Sequence, residues 1–343
     1  MLRCRTCVMP NTRPDTPFID GECSACVSYR KRATIDWNAR KASLLQILDR
    51  HNGECIVPSS GGKDSTWQVL KLLELGADVT VVTARTCHLT PIGRANIDNL
   101  ERYARTIEVV PNMTVRAKLN RLALEMVGDI SWPEHCAIFS TPFNVAEQTH
   151  HGLIFYGECP QEAYGGPSGS DEAMQMTMRW RSEFGGFLGL RPSDFVGVEG
   201  ITSRDMEDYS VNDPGRRVEA YFLGQFFEWD SRRNAEAAEK AGMRTLGEPP
   251  APGNWWLHEN LDNAQTGIHD WFMWLKYGFG RGCQQISVDV RAGRLTRENA
   301  LAWVERYDHL FPSEYAWVRV DEMLARIGMT TADLGKCAER FRA

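Results

Sequence analysis

One short stretch of this chain has the residue types of a phosphate-binding site. The run Ser60-Gly61-Gly62-Lys63-Asp64-Ser65 lies between a strand-like segment, ECIVPS, and a helix-like segment, DSTWQVLKLLEL. Because adjacent glycines at a strand end cost chain entropy, they indicate that the backbone closely approaches another group. The start of the helix offers unpaired N–H groups and a partial positive charge. We therefore predict that this loop binds a phosphate.

The side chains of the loop predict separate roles. The hydroxyls of Ser60 and Ser65, with the N–H groups of Gly61 to Asp64, can bind phosphate oxygens, and Lys63 can balance their charge. Asp64 would approach a bound Mg²⁺ or orient the loop, or else cap the helix. We expect Lys63 and Asp64 on a surface loop. The spacing fits neither a Walker loop nor GxGxxG, and a chance glycine turn remains an alternative.

Four of the ten cysteines fall within the first 26 residues, as Cys4-x-x-Cys7 and Cys23-x-x-Cys26. Two such pairs predict a four-thiolate site, most often for Zn²⁺. An iron–sulfur cluster is the rival interpretation, whereas disulfides are less expected in a reducing cytosol. The metal would hold together a segment that is too small to fold alone. We therefore predict a structural zinc ribbon.

The segments around the glycine loop alternate between strand and helix patterns. This alternation predicts an α/β fold with a parallel sheet and helices on both faces. Ser60–Ser65, Thr83–Cys87 and Gly157–Cys159 all fall at strand ends, where such sheets bind ligands. After residue 165 the alternation fades and helical patterns dominate. We predict three units: a zinc ribbon (1–35), an α/β domain with the phosphate-binding loop (36–165) and a mostly helical C-terminal region (166–343).

The composition bounds the function further. The chain has 343 residues and a formal net charge of -6, which argues against broad nucleic-acid binding. The last residues have helix–turn–helix spacing, but their acidic character favours two packed helices over DNA binding. No apolar run has the length of a membrane span, and the first residues do not resemble a signal peptide. We expect a cytoplasmic enzyme with no membrane partner.

The string SGGKDS closely resembles the pyrophosphate-binding loop, or PP-loop, of the ATP pyrophosphatases, which cleave ATP to AMP and pyrophosphate. Six strings together resemble the N-acetyl sugar amidotransferases of bacterial surface-polysaccharide synthesis, over Cys4 to about Asp308. They are the cysteine pairs, SGGKDS, WPEHCAIF, YGECPQEAYGG, WDS and GIHDWFMWLKYGFGR. The sequence departs from this pattern at Glu134, where we expect a cysteine in many relatives.

The resemblance implies a PP-loop ATP pyrophosphatase fold and a defined reaction. The oxygen of a sugar acetamido group would attack the α-phosphorus of ATP, and pyrophosphate would leave. Ammonia would then displace AMP from the O-adenylyl imidate and leave an acetamidino group. Lys63, Asp64 and Glu158 would be catalytic, Thr83 and Gly157 would lie near the nucleotide, and ATP, Mg²⁺ and structural Zn²⁺ would be the cofactors.

The resemblance also suggests a sugar site. Aromatic side chains would stack on the sugar ring, and cations would hold an acidic group of the substrate. Burial on one helix face in the core explains the tryptophans equally well, because they recur at helical spacing. The candidates are Trp132, His135, Trp229, His269, Lys276 and Arg281.

The nitrogen source and the rival functions complete the expectations. We find no glutaminase motif; the nearest string, Gly282-Cys283-Gln284-Gln285, lacks the second glycine of a nucleophile elbow. A partner glutaminase, with or without a cyclase-like subunit, would therefore supply ammonia.

A tRNA sulfurtransferase or lysidine synthetase remains the main alternative, supported by Cys159 beside Glu158. A zinc-ribbon adaptor with an inactive ATP fold is the third.

Overall fold

A parallel sheet lies at the centre of the computed structural model, which describes residues 1–14, 16–157, 163–165, 175–211 and 218–342. Its strand order is β5-β4-β3-β6-β7, and each neighbouring pair is parallel. The predicted α/β fold with a parallel sheet is therefore confirmed. The strands are β3 (Glu54–Pro58), β4 (Asp78–Ala84), β5 (Arg105–Val109), β6 (Leu153–Tyr156) and β7 (Glu219–Phe222).

Alternating side chains of the strands face two hydrophobic layers. Cys55 and Val57 of β3 point to one layer, whereas Ile56 points to the other. This is the two-residue period of a strand that is covered on both faces. One layer includes residues 37–50 and 63–74, and the other includes residues 132–149 and 178–184. The sheet is thus buried, and ligands can reach it only at the strand ends.

Thirteen helices surround the sheet in the part of the chain that the structure describes. They are α1 (Ser24–Lys31), α2 (Trp37–Arg50), α3 (Lys63–Glu74), α4 (Pro91–Leu100), α5 (Met113–Val127), α6 (Trp132–Thr149), α7 (Met178–Phe184), α8 (Ser231–Lys240), α9 (Thr266–Tyr277), α10 (Arg281–Arg291), α11 (Arg297–Tyr307), α12 (Val320–Arg326) and α13 (Thr331–Phe341). Short 3-10 turns lie at Arg32–Thr34, Pro192–Phe195, Val198–Gly200, Arg204–Tyr209 and Leu223–Gln225.

Local residue types explain several helix ends. The Asp36 side chain accepts hydrogen bonds from two N–H groups at the start of α2, and Asp230 does the same for α8. Such caps satisfy donors that lack a partner within the helix. Gly128 and Gly278 end α5 and α9 in the left-handed conformation. These stops fix the positions of the loops that reach the site.

The cysteine-rich N-terminus packs on the C-terminal helices. It contains the antiparallel pair β1 (Phe18–Ile19) and β2 (Glu22–Cys23), followed by α1. Cys4, Cys7, Cys23 and Cys26 share one buried cluster with Phe279, Cys283 and Ile286, and with Ala300 and Val304 of α11. The segment 1–35 therefore shares its core with residues from the far end of the chain.

The region after residue 165 contributes to two other parts of the structure. Its strand β7 pairs in parallel with β6, so the sheet extends beyond the expected boundary at residue 165. Helices α9, α12 and α13 form a separate apolar cluster, and the hairpin of β8 (Glu314–Tyr315) and β9 (Val318–Arg319) leads into α12. Helix α13 packs against α9 and against α12. Across the described ranges, each helix is too short or too polar to cross a membrane.

Candidate functional site

A large cleft opens at the C-terminal ends of β3, β4 and β6. Its volume is about 1510 Å³ when the space open to solvent is counted. The enclosed part measures about 420 Å³, which lies within the range of about 300–1,000 Å³ of typical ligand pockets. It is lined by Pro58, Ser59, Ser60, Gly62, Lys63, Asp64, Ser65, Gln68, Val82, Ala84, Thr86, Arg116, Ser131, Glu134, His135, Ala137, Ile138, Pro142, Tyr156, Gly157, His258, Glu259, Asn260, Asp262, Asn263, Thr266, His269 and Arg281.

The glycine loop connects β3 to α3 and forms one end of the cleft. No side chain caps the start of α3, where Gly62 is the N-cap residue. The Ser59 hydroxyl accepts a hydrogen bond from Gly61 N (3.0 Å) and donates one to Ser65 Oγ (2.8 Å). These bonds hold the loop in shape, and Gly62 at the N-cap has no side chain that could cap the first N–H groups of the helix. This arrangement suits an anion.

The two glycines have different structural causes. Gly61 has a φ of +77°, and a Cβ atom there would lie 2.6 Å from the backbone of Asn96 and Ile97 in α4. At Gly62 a Cβ would meet only the Ser60 hydroxyl, at an ordinary 3.4 Å. The close backbone approach expected from the sequence is therefore, at Gly61, an approach to a neighbouring helix. Gly62 keeps the cleft side of the loop free of a side chain.

Lys63 and Asp64 form an ion pair at the start of α3. The Lys63 ammonium also lies 5.6 Å from the centre of the Trp256 ring, and Asn234 of α8 donates to Asp64 Oδ1 at 3.0 Å. The expectation that Lys63 lies on the surface is wrong, since its side chain is only 3% exposed, although it lines the cleft. Asp64 is partly exposed. A buried cation and the positive end of the α3 dipole thus lie together in this part of the cleft.

The loop before α9 brings three titratable groups opposite Lys63. Burial lowers the pKa of His258 to about 4, and Lys63 adds to this effect. Burial alone would raise the pKa of Glu259, but Lys63 and Arg281 hold it below its ordinary value. Burial raises the pKa of Asp262 to about 6. Glu259 is further fixed by Gln285, whose amide donates to it at 2.8 Å.

Glu134 occupies the centre of a buried polar network on the cleft wall. Its carboxylate pairs with Arg116 of α5 at 3.1 Å and accepts hydrogen bonds from Asn120 and Gln265, both at 2.7 Å. The Arg116 Nε also donates to the Tyr209 hydroxyl at 3.0 Å. A buried charge needs such partners. Glu134 thus joins α5, α6 and α9 across the site.

A carboxylate and two imidazoles meet at another part of the cleft wall. Asp129 lies between α5 and α6, His135 in the first turn of α6, and His269 in α9. Asp129 Oδ1 is 2.8 Å from His269 Nδ1, and Asp129 Oδ2 is 3.6 Å from His135 Nδ1. The two imidazole rings lie edge to face, with centres 5.2 Å apart. Both histidines line the cleft.

Two cations lie close to this group. Arg281, the first residue of α10, lines the cleft and pairs with Asp270 at 3.0 Å. Lys276 donates to the carbonyl oxygen of Val127 at 3.3 Å. Burial lowers the pKa of Lys276, and Asp129 opposes that shift. Arg281 is thus positioned to contact a ligand, whereas Lys276 joins the ends of α5 and α9.

The structure brings most of the predicted nucleotide residues together. Thr83 is buried, and its hydroxyl has no hydrogen-bond partner within the described residues, while its neighbours Val82 and Ala84 line the cleft. Gly61 lies within the loop but packs on α4. Glu158 and Cys159 lie outside the described residues. Those that line the cleft are Ser60, Gly62, Lys63, Asp64, Ser65 and Gly157.

The predicted sugar residues divide into two groups. His135, His269 and Arg281 line the cleft, together with the nucleotide residues. Trp132 is fully buried against Phe195. Trp229 is 8% exposed, packs edge to face on Trp67, and lines a separate small cleft of about 50 Å³ beside Arg32. The two tryptophans thus belong to the core, and in WDS it is Asp230 that positions α8.

The four N-terminal cysteines form a compact, buried group. Their sulfur atoms all lie within 4.8 Å of one another, with Cys4 and Cys26 3.8 Å apart and Cys7 and Cys23 3.6 Å apart. A tetrahedral Zn²⁺ with 2.3 Å bonds would place its sulfur ligands about 3.8 Å apart. The N–H groups of Met9 and Cys23 point at the sulfurs of Cys7 and Cys4. The cluster therefore has the geometry of a zinc site.

Sequence reasoning missed several residues of the cleft. Arg116 shares the buried face of α5 with Leu119 and Ala123, but a single arginine there forms no motif, and Asp129 precedes α6 like a simple helix cap. The segment HENLDN (258–263) has no period or motif, but its density of polar side chains was an available signal. These residues reach the cleft only through packing of distant elements.

One comparison with known proteins gives a match. Residues 254–343 match the model of a family described as LPS biosynthesis protein WbpG-like, C-terminal domain. No curated protein matches the chain. The matched region contains the 258–263 loop, His269 and Arg281, so it supplies one side of the cleft. The match supports a role for this protein in polysaccharide biosynthesis.

Proposed function

We propose that this protein is an ATP-dependent amidotransferase that converts an acetamido group of a sugar into an acetamidino group and releases AMP and pyrophosphate. It would be a PP-loop enzyme of the ATP pyrophosphatase type. The observation that carries the proposal is the shared cleft. The SGGKDS loop supplies one end of it, and a region similar to a polysaccharide-biosynthesis family supplies another side.

The first half of the reaction suits the loop end of the cleft. Amide oxygen is a poor leaving group, so its transfer to the α-phosphorus of ATP is needed before nitrogen can replace it. The uncapped N–H groups of α3 and the Lys63 ammonium would bind the departing pyrophosphate. The Lys63 ammonium would then pair with the phosphates instead of with Asp64. Asp64 would keep the hydrogen bond that Asn234 donates to it.

The remaining groups suit a nucleotide and a polar second substrate. Asp64 offers the carboxylate oxygen that Mg²⁺ prefers, and Mg²⁺ would neutralise triphosphate charge when bound. Arg281, held by Asp270, presents a fixed guanidinium to an acidic group of the sugar. His135 and His269 lie beside it. Lys63 and Arg281 thus give one cleft two positively charged groups, as expected for two anionic reactants.

A mass-spectrometric assay tests the proposal. The purified chain is incubated with ATP, Mg²⁺, an ammonium salt and a panel of N-acetylated hexosamines, tested as free sugars, as uronic acids and as nucleotide-linked forms. Replacement of O by NH lowers the sugar mass by about one unit in the activated-amide reaction. With ¹⁸O in the acetamido carbonyl, the label should move to AMP and not to pyrophosphate.

The label distinguishes this reaction from simple ATP hydrolysis. Appearance of ¹⁸O in AMP requires attack of the amide oxygen on the α-phosphorus, whereas hydrolysis leaves it in the sugar. A panel in which no member gives AMP would contradict the proposal. Sulfur transfer to tRNA, together with salt-dependent tRNA binding, would instead show that the protein is a tRNA sulfurtransferase.

The proposed nitrogen source is ammonia from a partner glutaminase. With this chain alone, ammonium at raised pH should support turnover and glutamine should not. Raised pH increases the fraction of free ammonia, which is the nucleophile. Equal turnover with glutamine alone would show that a glutaminase site lies within the 343 residues.

A further inference from the structure

The Asp129 carboxylate is held by a backbone N–H group as well as by a histidine. Its Oδ1 accepts a hydrogen bond from Ser131 N at 2.9 Å and lies 2.8 Å from His269 Nδ1. The carboxylate is nearly buried, with only 5% of its side chain exposed. It therefore has a fixed position, and it fixes the imidazole with which it pairs.

The hydrogen bond decides which nitrogen of His269 can act on a ligand. A carboxylate accepts hydrogen bonds, so Nδ1 of His269 carries the proton. The ring lines the cleft, so Nε2 is the nitrogen left to a bound molecule. In the neutral ring Nε2 is a proton acceptor. A carboxylate that orients a histidine in this way is a recurring arrangement for proton transfer.

His135 differs from His269 although both rings point Nδ1 towards Asp129. The His135 Nδ1 is 3.6 Å from Asp129 Oδ2, and it has no hydrogen bond within the described part of the chain. The three side chains are close enough to hold a metal ion. However, Asp129 Oδ1 already accepts two hydrogen bonds, and the Lys276 and Arg281 cations lie nearby. This charge balance favours a hydrogen-bonded pair over a cation site.

We propose that His269 is the proton acceptor for the nitrogen nucleophile, and that Asp129 is its positioning residue. This assignment rests on the proposed function, because it concerns the second half of that reaction. Arg281 would hold the sugar while Nε2 of His269 faces the attacked carbon. His135 would pack beside His269 and would not take the proton.

The step balances in atoms and charge. After pyrophosphate leaves, the imidate keeps the amide proton and carries one positive charge. The lone pair of ammonia forms a C–N bond to the imidate carbon, which gives an adduct with an NH₃⁺ group. His269 Nε2 takes one proton from this group. The C–O bond then breaks, AMP leaves with the electron pair, and the product is an amidinium ion.

The surrounding charges set the pH dependence. Burial lowers the pKa of His269, but Asp129 outweighs burial, so the pKa stays above its ordinary value. The groups that face the ring are Asp129, His135 from α6, Asp270 and Lys276 from α9, and Arg281 from α10. Because the neutral ring is the acceptor, amination should rise with pH through this pKa. Removing the charge of Asp129 should move the rise to lower pH.

Single-turnover experiments separate this proposal from the proposed function. The probe is the panel sugar that gives the most pyrophosphate. In His269→Gln, pyrophosphate release in the first turnover should stay near the wild-type rate, while amidine formation should fall about 10²-fold or more. Added imidazole should restore amidine formation in His269→Ala. His309→Gln, at an exposed histidine, is the matched control and should resemble wild type.

Nitrogen NMR of ¹⁵N-histidine protein tests the pair without any substrate. In wild type, neutral His269 should carry its proton on Nδ1, and its titration midpoint should fall in Asp129→Asn. The proposal would be overturned by a proton on Nε2, or by amidine formation in His269→Gln at the wild-type rate. A metal ion that His269→Gln removes from the protein would also overturn it. Failure of every panel sugar to release pyrophosphate would instead refute the proposed function.

Discussion

The cysteine cluster and the cleft place reactive side chains in opposite surroundings. The four thiols are at most 1% exposed, and their sulfur atoms converge on one another. In the cleft, Asp64, His135 and His269 are between 20% and 27% exposed at the side chain. A cluster that is closed to solvent suits a structural metal, whereas an open one suits exchange of reactants. Loss of the first should therefore affect folding, and loss of the second should affect chemistry.

The largest expected effect is on chemistry, from Lys63→Ala. Loss of the ammonium at the uncapped start of α3 should reduce AMP and pyrophosphate formation by about 10²- to 10³-fold or more. Quantifying both products by chromatography measures the effect. The control is Lys71→Ala in the same helix, whose ammonium pairs with Glu74 at the surface. Full turnover by Lys63→Ala would show that the loop takes no part in the reaction.

The cysteine cluster should show the reverse pattern. Cys4→Ser should lower the zinc content below one per chain and lower the free energy of unfolding by several kcal/mol, because metal binding is coupled to folding. Metal analysis and thermal unfolding measure the two effects. Cys337→Ser, at a half-buried thiol in α13, should keep its zinc. A brown protein that contains iron would show that the four cysteines hold an iron–sulfur cluster and not zinc.

A third change tests whether the cleft wall behaves like the cysteine cluster. Arg116→Met leaves the buried Glu134 without its cation and should cost about 3–5 kcal/mol in the free energy of unfolding. Chemical denaturation measures it. The matched control is Arg121→Met in the same helix, because the Arg121 pairs are partly exposed and should be worth about 1 kcal/mol or less. Equal costs would mean that Glu134 finds other partners.

The smallest effect concerns a single hydrogen bond. Asn234→Ala removes the donor to Asp64 Oδ1, which should cost about 1 kcal/mol, or about fivefold in the KM for ATP. The unfolding midpoint should change little. Asn299→Ala, at an exposed position of α11, provides the comparison. An unchanged KM in both variants would show that Asp64 needs no support from α8.

Local patterns predicted some of these features and could not predict others. The cysteine pairs and the SGGKDS loop lie within short stretches, so spacing alone indicated their geometry. The tryptophans illustrate the limit: Trp132 and Trp229 have the amphipathic character of sugar-stacking residues, but large rings gain most from core burial. The 258–263 loop reaches the cleft, and Asp129 reaches the cleft histidines, through contacts between distant elements, for which the local sequence carries no period.

The packing of the N-terminus on the last third of the chain has a consequence for synthesis. Arg297 donates hydrogen bonds to the backbone oxygens of Cys4 and Cys7, which lie 293 and 290 residues earlier. At ribosomal speeds of about 5–20 residues per second, this partner follows the cysteines by roughly 15–60 s. During this interval the nascent chain must keep its four thiols reduced and metal-competent without their final cover. The cysteine segment is therefore completed only after about 290 further residues have been synthesised.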